Sequence, residues 1–277
     1  MQRNMTAATN WSLVTGAGSG IGAALAQELS ARGLGVALVG RREANLLDVR
    51  DRIGPGKPVL VLPADIACAA SRAWLYRTVA QRLASERGNL CHLVHNAGTG
   101  SPSRDFAGMD PAELMSAFAV NVTAPLALTQ SFLPLLRRAA PARVLMVGAG
   151  IADRVQPGTG IYGITKKALA RLFDQMVVDF AHEGGADLPG IALFQPGLVE
   201  TEGLRDHIAA AKACDLPHAA WLDAALAKGE ARSAVDVAKA MAAALLDLGH
   251  DAFHGQTLRP HSAPSDLGAQ RKSKIVP

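Results

Sequence analysis

The chain has 277 residues, of which 49% are hydrophobic and 19% are charged, and its net charge is +4. This composition supplies enough apolar side chains for a buried core and argues against intrinsic disorder. The Lys and Arg residues are interspersed with Asp and Glu instead of forming basic runs, so a nucleic-acid partner is not expected.

Short β-branched segments alternate with longer helical segments along the chain. The predicted strands are residues 12–15, 36–39, 59–62, 90–94, 144–147, 191–194 and 255–258, and the predicted helices are residues 21–32, 43–52, 71–87, 111–138, 162–182 and 233–248. Repeated strand–helix–strand units favour a parallel sheet covered on both faces. We therefore predict an α/β protein with a doubly wound parallel sheet of the Rossmann type, in three αβα layers. Residues 1–260 form its single domain and residues 261–277 a loose tail.

The first predicted strand runs into a glycine-rich turn that opens a helix. Residues 15–22 read Thr-Gly-Ala-Gly-Ser-Gly-Ile-Gly, so four glycines fall within seven residues. Such a turn lets backbone N–H groups approach a pyrophosphate closely, and the helix N-terminus favours an anion. The sequence therefore predicts a dinucleotide site that includes Gly16, Gly18, Ser19, Gly20, Ile21 and Gly22.

The end of the second predicted strand bears on which dinucleotide is bound. An acidic residue about 20 residues past the glycines would hold the ribose hydroxyls of NAD and repel a 2′-phosphate. This chain has Gly40-Arg41-Arg42 at that place. Two guanidinium groups can bind a phosphate through charge-assisted hydrogen bonds, so NADP(H) is favoured over NAD(H).

Tyr162 and Lys166 are four residues apart in the fifth predicted helix. Side chains at this spacing emerge on the same helix face. A nearby ammonium group favours the phenolate, so we expect Lys166 to lower the pKa of Tyr162 from its usual value of about 10. A tyrosine of this kind is a suitable general acid/base for a carbonyl or alcohol.

These motifs, in this order, resemble the short-chain dehydrogenase/reductase family. The matching patterns are TGxxxGxG at Gly16, Gly20 and Gly22, the Asn-Ala-Gly motif at residues 96–98 with His95 before it, and YxxxK at residues 162–166. The resemblance implies an NAD(P)(H)-dependent oxidoreductase that reduces a carbonyl or oxidises an alcohol, and the apolar residues within positions 200–229 suggest a small, moderately apolar substrate. The residues that it implies at the cofactor are Asp65, Ile66, Asn96, Ala97, Gly98, Tyr162, Lys166, Pro196, Gly197, Val199 and Thr201.

In the role that the resemblance implies, Tyr162 is the proton donor and acceptor. Lys166 also holds the hydroxyls of the nicotinamide ribose, and Asn121 anchors a water in the proton-relay path.

The chain departs from this family at the catalytic serine. That serine lies thirteen residues before the tyrosine, where this chain has Ala149, and no serine occurs between residues 132 and 232. Another group can replace it: Thr159, Asp153, Gln156, a backbone N–H or a substrate hydroxyl. Alternatively the reaction needs only Tyr162, Lys166 and cofactor. The remaining interpretations are a dinucleotide-binding protein with little turnover and a non-redox reaction on the same fold.

Further expectations concern a substrate lid, the assembly, the cysteines and the location of the protein. Residues 200–229 are predicted to form a substrate lid, and helices 111–138 and 162–182 carry apolar residues on more than one face, so we expect a homodimer or homotetramer. The three cysteines are far apart and are interpreted as reduced thiols, and no metal site is predicted. No uninterrupted apolar run reaches the roughly 18 to 20 residues of a membrane span, and residues 1–10 lack a secretory signal, so a cytoplasmic protein with no membrane partner is expected.

Overall fold

The computed structural model describes residues 8–103, 105–139 and 141–260. Its main sheet consists of β1 (Asn10–Thr15), β2 (Gly35–Gly40), β3 (Val59–Pro63), β4 (Asn89–His95), β5 (Arg143–Val147), β6 (Gly190–Phe194) and β9 (Thr257–Leu258). The order is β3-β2-β1-β4-β5-β6-β9, and all pairings are parallel. The short strands β7 (Val199–Glu200) and β8 (Arg232–Ser233) form a separate parallel pair. The predicted doubly wound parallel sheet is confirmed.

Helices cover both faces of the sheet. They are α1 (Gly20–Ala31), α2 (Glu43–Ile53), α3 (Ala69–Glu86), α4 (Pro111–Phe118), α5 (Ala124–Arg137), α6 (Gly160–Glu183), α7 (Glu202–Ala213), α8 (His218–Ala227), α9 (Ala234–Leu246) and α10 (His250–Phe253). Alternate strand residues face opposite cores, so Leu13 and Leu93 pack in one core with helices α3, α5 and α6. Val14 and Val94 pack in the other with α1, α2 and α9. Strands buried on both faces explain why these segments are continuously apolar.

The predicted helix 111–138 is not one regular α-helix. Asp110 caps its start by accepting a hydrogen bond from the Ala112 N–H at 2.8 Å, and the α-helical pattern then gives way to a π-helical segment at Ala119–Thr123 before α5 begins. A π-helical segment is a short, local departure inside an otherwise α-helical stretch, and the prediction of one continuous helix did not resolve it. The expected tail at residues 261–277 lies outside the described residues.

One described helical stretch, Pro111–Arg137, is long and apolar enough to cross a membrane by length and composition. Polar residues such as Glu113, Asn121 and Gln130 interrupt this stretch, so it is not one uninterrupted apolar run. Phe132, Leu128 and Leu136 are fully buried in the core that this stretch shares with β4 and α3. Burial of this kind is that of a core helix packed on a sheet.

Candidate active site

The glycine turn between β1 and α1 is enclosed on several sides. Gly16 has a φ of +67°, and a Cβ atom there would lie 2.9 Å from the Cα of Ala97. A Cβ on Gly22 would lie 2.2 Å from the Gly16 carbonyl oxygen, and one on Gly18 would lie 3.1 Å from the Cβ of Asn45. The backbone therefore approaches its neighbours too closely for side chains at Gly16 and Gly22.

A hydrogen-bond network ties this turn to the segment after β4. The Thr15 hydroxyl donates to the Val94 carbonyl at 3.1 Å and accepts from the backbone N–H groups of Asn96 and Ala97 at 3.1 and 3.2 Å. The Asn96 side chain donates to the carbonyls of Thr15 and Gly16 at 3.0 and 3.2 Å. Asn96 thus stabilises the turn with its side chain.

A cavity of about 360 Å³ lies at the carboxyl ends of β1, β2 and β4, where the strand order reverses. Ligands bind at this point in open α/β sheets. Thirteen of the predicted site residues line it: Gly16, Gly18, Ser19, Gly20, Ile21, Arg41, Arg42, Asp65, Ile66, Asn96, Ala97, Gly98 and Thr201. The structure thus brings together predicted residues from five separate segments of the sequence.

Several predicted residues lie elsewhere, and others were missed. Gly22, Tyr162, Lys166, Pro196, Gly197 and Val199 do not line this cavity. Gly22 is buried beneath the turn, and Val199 is buried in β7, so their cofactor contacts stay predictions. The additional lining residues are Val39, Gly40, Asn45, Leu46, Ala64, Thr99, Val120 and Gly203. Asn45 lies in the first turn of α2, three residues after Arg42. Its position close to the two predicted arginines could have indicated that it lines the cavity.

Arg41 and Arg42 are exposed at the cavity. Neither guanidinium forms an ion pair or a side-chain hydrogen bond within the described parts of the chain. Asp65 is the acidic residue among the lining residues, and one of its carboxylate oxygens accepts from the Ala67 N–H at 2.9 Å. The second oxygen is therefore available to an external donor, such as an amino group.

Tyr162 and Lys166 lie in the first two turns of α6. The Lys166 ammonium is buried and donates to the Val147 carbonyl at 2.8 Å, and its Nζ lies 5.5 Å from the centre of the Tyr162 ring. Burial raises the pKa of Tyr162 to about 12 and lowers the pKa of Lys166 to about 8. The expectation that Lys166 lowers the tyrosine pKa is therefore wrong for this structure, because desolvation disfavours both charged forms.

Asn121 lies in the π-helical segment and is buried. Its Oδ1 accepts from the Thr99 N–H at 2.9 Å, and its Nδ2 donates to the Thr99 carbonyl at 2.6 Å and to the Thr165 hydroxyl at 2.8 Å. Both amide hydrogens are thus in use, and only Oδ1 can take another partner. The side chain joins the loop after β4 to α6, which sequence reasoning did not foresee.

The surroundings of Ala149 decide which of the suggested replacements for serine are available. The Thr159 hydroxyl donates to the Gln156 carbonyl at 3.0 Å, and the Asp153 carboxylate pairs with the Lys167 ammonium at 2.8 Å. Both side chains are therefore engaged within the protein.

Comparison with known proteins identifies one family over most of the chain. The family described as short chain dehydrogenase matches residues 10–211. An 11-beta-hydroxysteroid dehydrogenase A from Sesamum indicum is 32% identical over 192 residues, which cover 69% of this chain and 52% of that protein. The chain thus matches about half the length of this curated relative.

Two solved structures share the fold. A metagenomic short-chain oxidoreductase in complex with NADP is 22% identical, with a TM-score of 0.69, and the match covers 92% of this chain and 99% of that one. A short chain dehydrogenase/reductase from Burkholderia phymatum in complex with NAD is 22% identical, with a TM-score of 0.74, and the match covers 92% of this chain and 89% of that one.

Proposed function

The chain belongs to the short-chain dehydrogenase family, and from that premise we propose that it is an NADP(H)-preferring oxidoreductase that reduces a carbonyl or oxidises an alcohol. The observation that carries the proposal is the contact between the acid/base pair and the edge of the dinucleotide cavity. A Cβ on Gly98 would lie 3.3 Å from the Lys166 Nζ, and one on Gly100 would lie 2.8 Å from the Tyr162 Cβ. Gly98 itself lines the cavity.

The residues of the cavity fit a dinucleotide. The backbone of the glycine turn is suited to the pyrophosphate, and the open carboxylate oxygen of Asp65 to the adenine amino group. Lys166 does not line the cavity, but it lies next to Gly98 at the cavity edge and is suited to ribose hydroxyls. When bound, the cofactor supplies a hydride. Family members bind NADP in one case and NAD in another. Arg41 and Arg42, with no carboxylate at the end of β2, support NADP(H) for this chain.

The protonation state of Tyr162 suits the reductive direction. A pKa of about 12 keeps the side chain as a phenol at neutral pH, so it can donate a proton to a carbonyl oxygen. Lys166, with a pKa of about 8, stays mostly charged at neutral pH, and this charge offsets the phenolate that forms.

Ala149 favours a second candidate function, that of a dinucleotide-binding protein with little turnover, because the hydrogen bond of a serine to the reacting oxygen is absent. The intact glycine turn argues against a non-redox role that would not need the cofactor.

The test is NADPH oxidation by wild type and by Tyr162→Phe against a panel of ketones and diketones. We expect Tyr162→Phe to abolish turnover and to leave NADPH affinity nearly unchanged. Equal background rates for both proteins across the panel would refute the enzymatic proposal.

We also propose a homodimer or homotetramer in the cytoplasm with a small, moderately apolar substrate. Met115 on α4 and Ile164 and Val178 on α6 are large apolar side chains with exposed fractions of 66%, 44% and 38%. Helices α4 and α6 pack side by side, so these residues lie on neighbouring helices. Light scattering that gives the 28.8 kDa of one chain at micromolar concentration would count against the assembly.

A further inference from the structure

The alanine at position 149 raises the question of which group donates a hydrogen bond to the reacting oxygen. Besides Thr159, which is engaged as described, Thr165 is a hydroxyl residue close to Tyr162. Its hydroxyl donates to the carbonyls of Ile161 and Tyr162 at 3.0 and 3.1 Å and accepts from Asn121. Both of these hydroxyl groups therefore serve the protein itself.

Thr99 differs from these two threonines. It lines the dinucleotide cavity, and its side chain is exposed. Its hydroxyl has no hydrogen-bond partner among the residues that the structure describes. A hydroxyl with an unused donor at the edge of the cavity is available to a bound molecule.

The backbone of Thr99 is fixed on both sides. Asn121 accepts from its N–H at 2.9 Å and donates to its carbonyl at 2.6 Å. The next residue, Gly100, contacts Tyr162 so closely that a Cβ on Gly100 would lie 2.8 Å from the tyrosine Cβ. Thr99 is thus held beside the acid/base tyrosine by residues that sequence reasoning assigned to a proton relay. Such fixed positioning is what an effective donor in an active site needs.

We propose that the Thr99 hydroxyl is a catalytic residue that replaces the missing serine hydroxyl as a hydrogen-bond donor to the substrate oxygen. The inference rests on the proposed function. In the reduction, a hydride adds to the carbonyl carbon and NADPH is oxidised to NADP⁺. The oxygen takes the proton of the Tyr162 hydroxyl, while Thr99 keeps its own proton and only donates a hydrogen bond. Asn121 then acts as a positioning residue for Thr99.

The test removes the Thr99 hydroxyl with a substitution of similar shape and then introduces a serine hydroxyl at position 149. With the panel member that wild type reduces fastest, Thr99→Val should lower kcat/KM by about 100-fold, the effect of losing one oxyanion donor. Thr99→Ser should retain most of the activity. Ala149→Ser should change the wild-type rate only modestly and should restore at least ten-fold in the Thr99→Val background. NADPH affinity, measured by fluorescence, should stay within about three-fold of wild type, since a hydroxyl that acts on the substrate contributes little to cofactor binding.

Controls and contrary outcomes separate this proposal from the function on which it rests. Thr123→Val, at an exposed threonine near Asn121, is the control for the effect of a threonine-to-valine substitution as such, and it should leave kcat/KM close to that of wild type. Full activity in Thr99→Val, or a loss that appears in Thr159→Val instead, would overturn the role of Thr99 while leaving the enzyme proposal intact. A weaker NADPH affinity in Thr99→Val with unchanged kcat would also overturn it, since the hydroxyl would then bind cofactor. No turnover by wild type with any panel member would refute the proposed function itself.

Discussion

The turn after β1 and the turn after β5 both follow the carboxyl end of a parallel strand, and both are rich in glycine. In the first turn, added Cβ atoms at Gly16 and Gly22 would lie within 3 Å of backbone or side-chain atoms. In the second, a Cβ on Gly148 would lie no closer than 3.2 Å to the Leu193 side chain, and one on Gly150 would meet only the flexible end of Arg154 at 3.6 Å. Dinucleotide binding of the proposed kind depends on close backbone approach, whereas the proposed chemistry needs a hydroxyl donor, which a segment other than this turn can supply. This difference would account for the intact glycine pattern of the first turn and for Ala149 in the second.

The largest effect is expected from a side chain added to a glycine of the first turn, where there is no space for a Cβ atom. Gly22→Ala would place a methyl group 2.2 Å from the Gly16 carbonyl and 2.5 Å from the Asn96 amide nitrogen. We expect an unfolding free energy lower by about 1–3 kcal/mol, the usual cost of overpacking, and NADPH affinity reduced about 100-fold or more because the turn must shift. Fluorescence titration and thermal unfolding measure the two effects.

Gly249→Ala is the matched control for this substitution, since an added Cβ there meets nothing within 4 Å. It should change neither NADPH affinity nor Tm appreciably. NADPH binding by Gly22→Ala at wild-type strength would show that the turn is not the pyrophosphate site.

A smaller effect is expected at the cavity arginines, where side chains and not backbone supply the contact. Replacing both, Arg41→Ala/Arg42→Ala, should weaken NADPH binding about 10- to 100-fold, as expected for the loss of charge-assisted hydrogen bonds worth roughly 1.5–3 kcal/mol. NADH affinity should stay the same because NADH has no 2′-phosphate. Parallel titrations of the two cofactors give both constants.

Arg50→Ala/Arg52→Ala removes the same charge from the far end of α2 and serves as the control. Its NADPH affinity should match that of wild type, since these arginines do not line the cavity. Tighter binding of NADH than of NADPH by wild type, unchanged by loss of Arg41 and Arg42, would contradict the cofactor preference.

A third effect appears only as the pH falls and concerns the stability of the protein at β4. Burial lowers the pKa of His95 to about 3, and burial and the nearby Arg143 lower that of His92 to about 4. Both histidines are neutral in the folded protein, whereas in the unfolded chain the same side chains take up protons below the usual histidine pKa of 6.5. Their contribution to stability is thus complete above pH 6.5 and is lost as pH falls toward 4 and then 3, with a slope of up to about 2.7 kcal/mol per pH unit for two protons.

His95→Asn removes one of these titrating groups and should lower the slope in urea unfolding, measured between pH 6 and 5, by up to about 1.4 kcal/mol per pH unit. His182→Asn, at an exposed position near the end of α6, should leave the slope as in wild type. A pH-independent unfolding free energy in wild type over this interval would contradict the buried neutral state of both histidines.

Sequence periodicity and glycine placement by themselves determined the strands, the parallel sheet and the position of the dinucleotide turn. These features are local, since apolar period, turn chemistry and helix capping act between residues near in the chain. The π-helical segment within the predicted helix 111–138 was not predicted, because it is a short, local departure inside an otherwise α-helical stretch.

Tertiary structure alone decided the electrostatics and the use of the polar side chains. The spacing of Tyr162 and Lys166 predicted a lowered tyrosine pKa, but burial by segments far away in sequence raises it to about 12. Likewise, Asn121 is a recognisable motif residue, yet only the packed structure directs its amide to Thr99 and Thr165. Desolvation and hydrogen-bond pairing depend on what surrounds a group in space. The candidate site residues could therefore be predicted from the sequence, whereas their pKa values and hydrogen-bond partners depend on the tertiary structure.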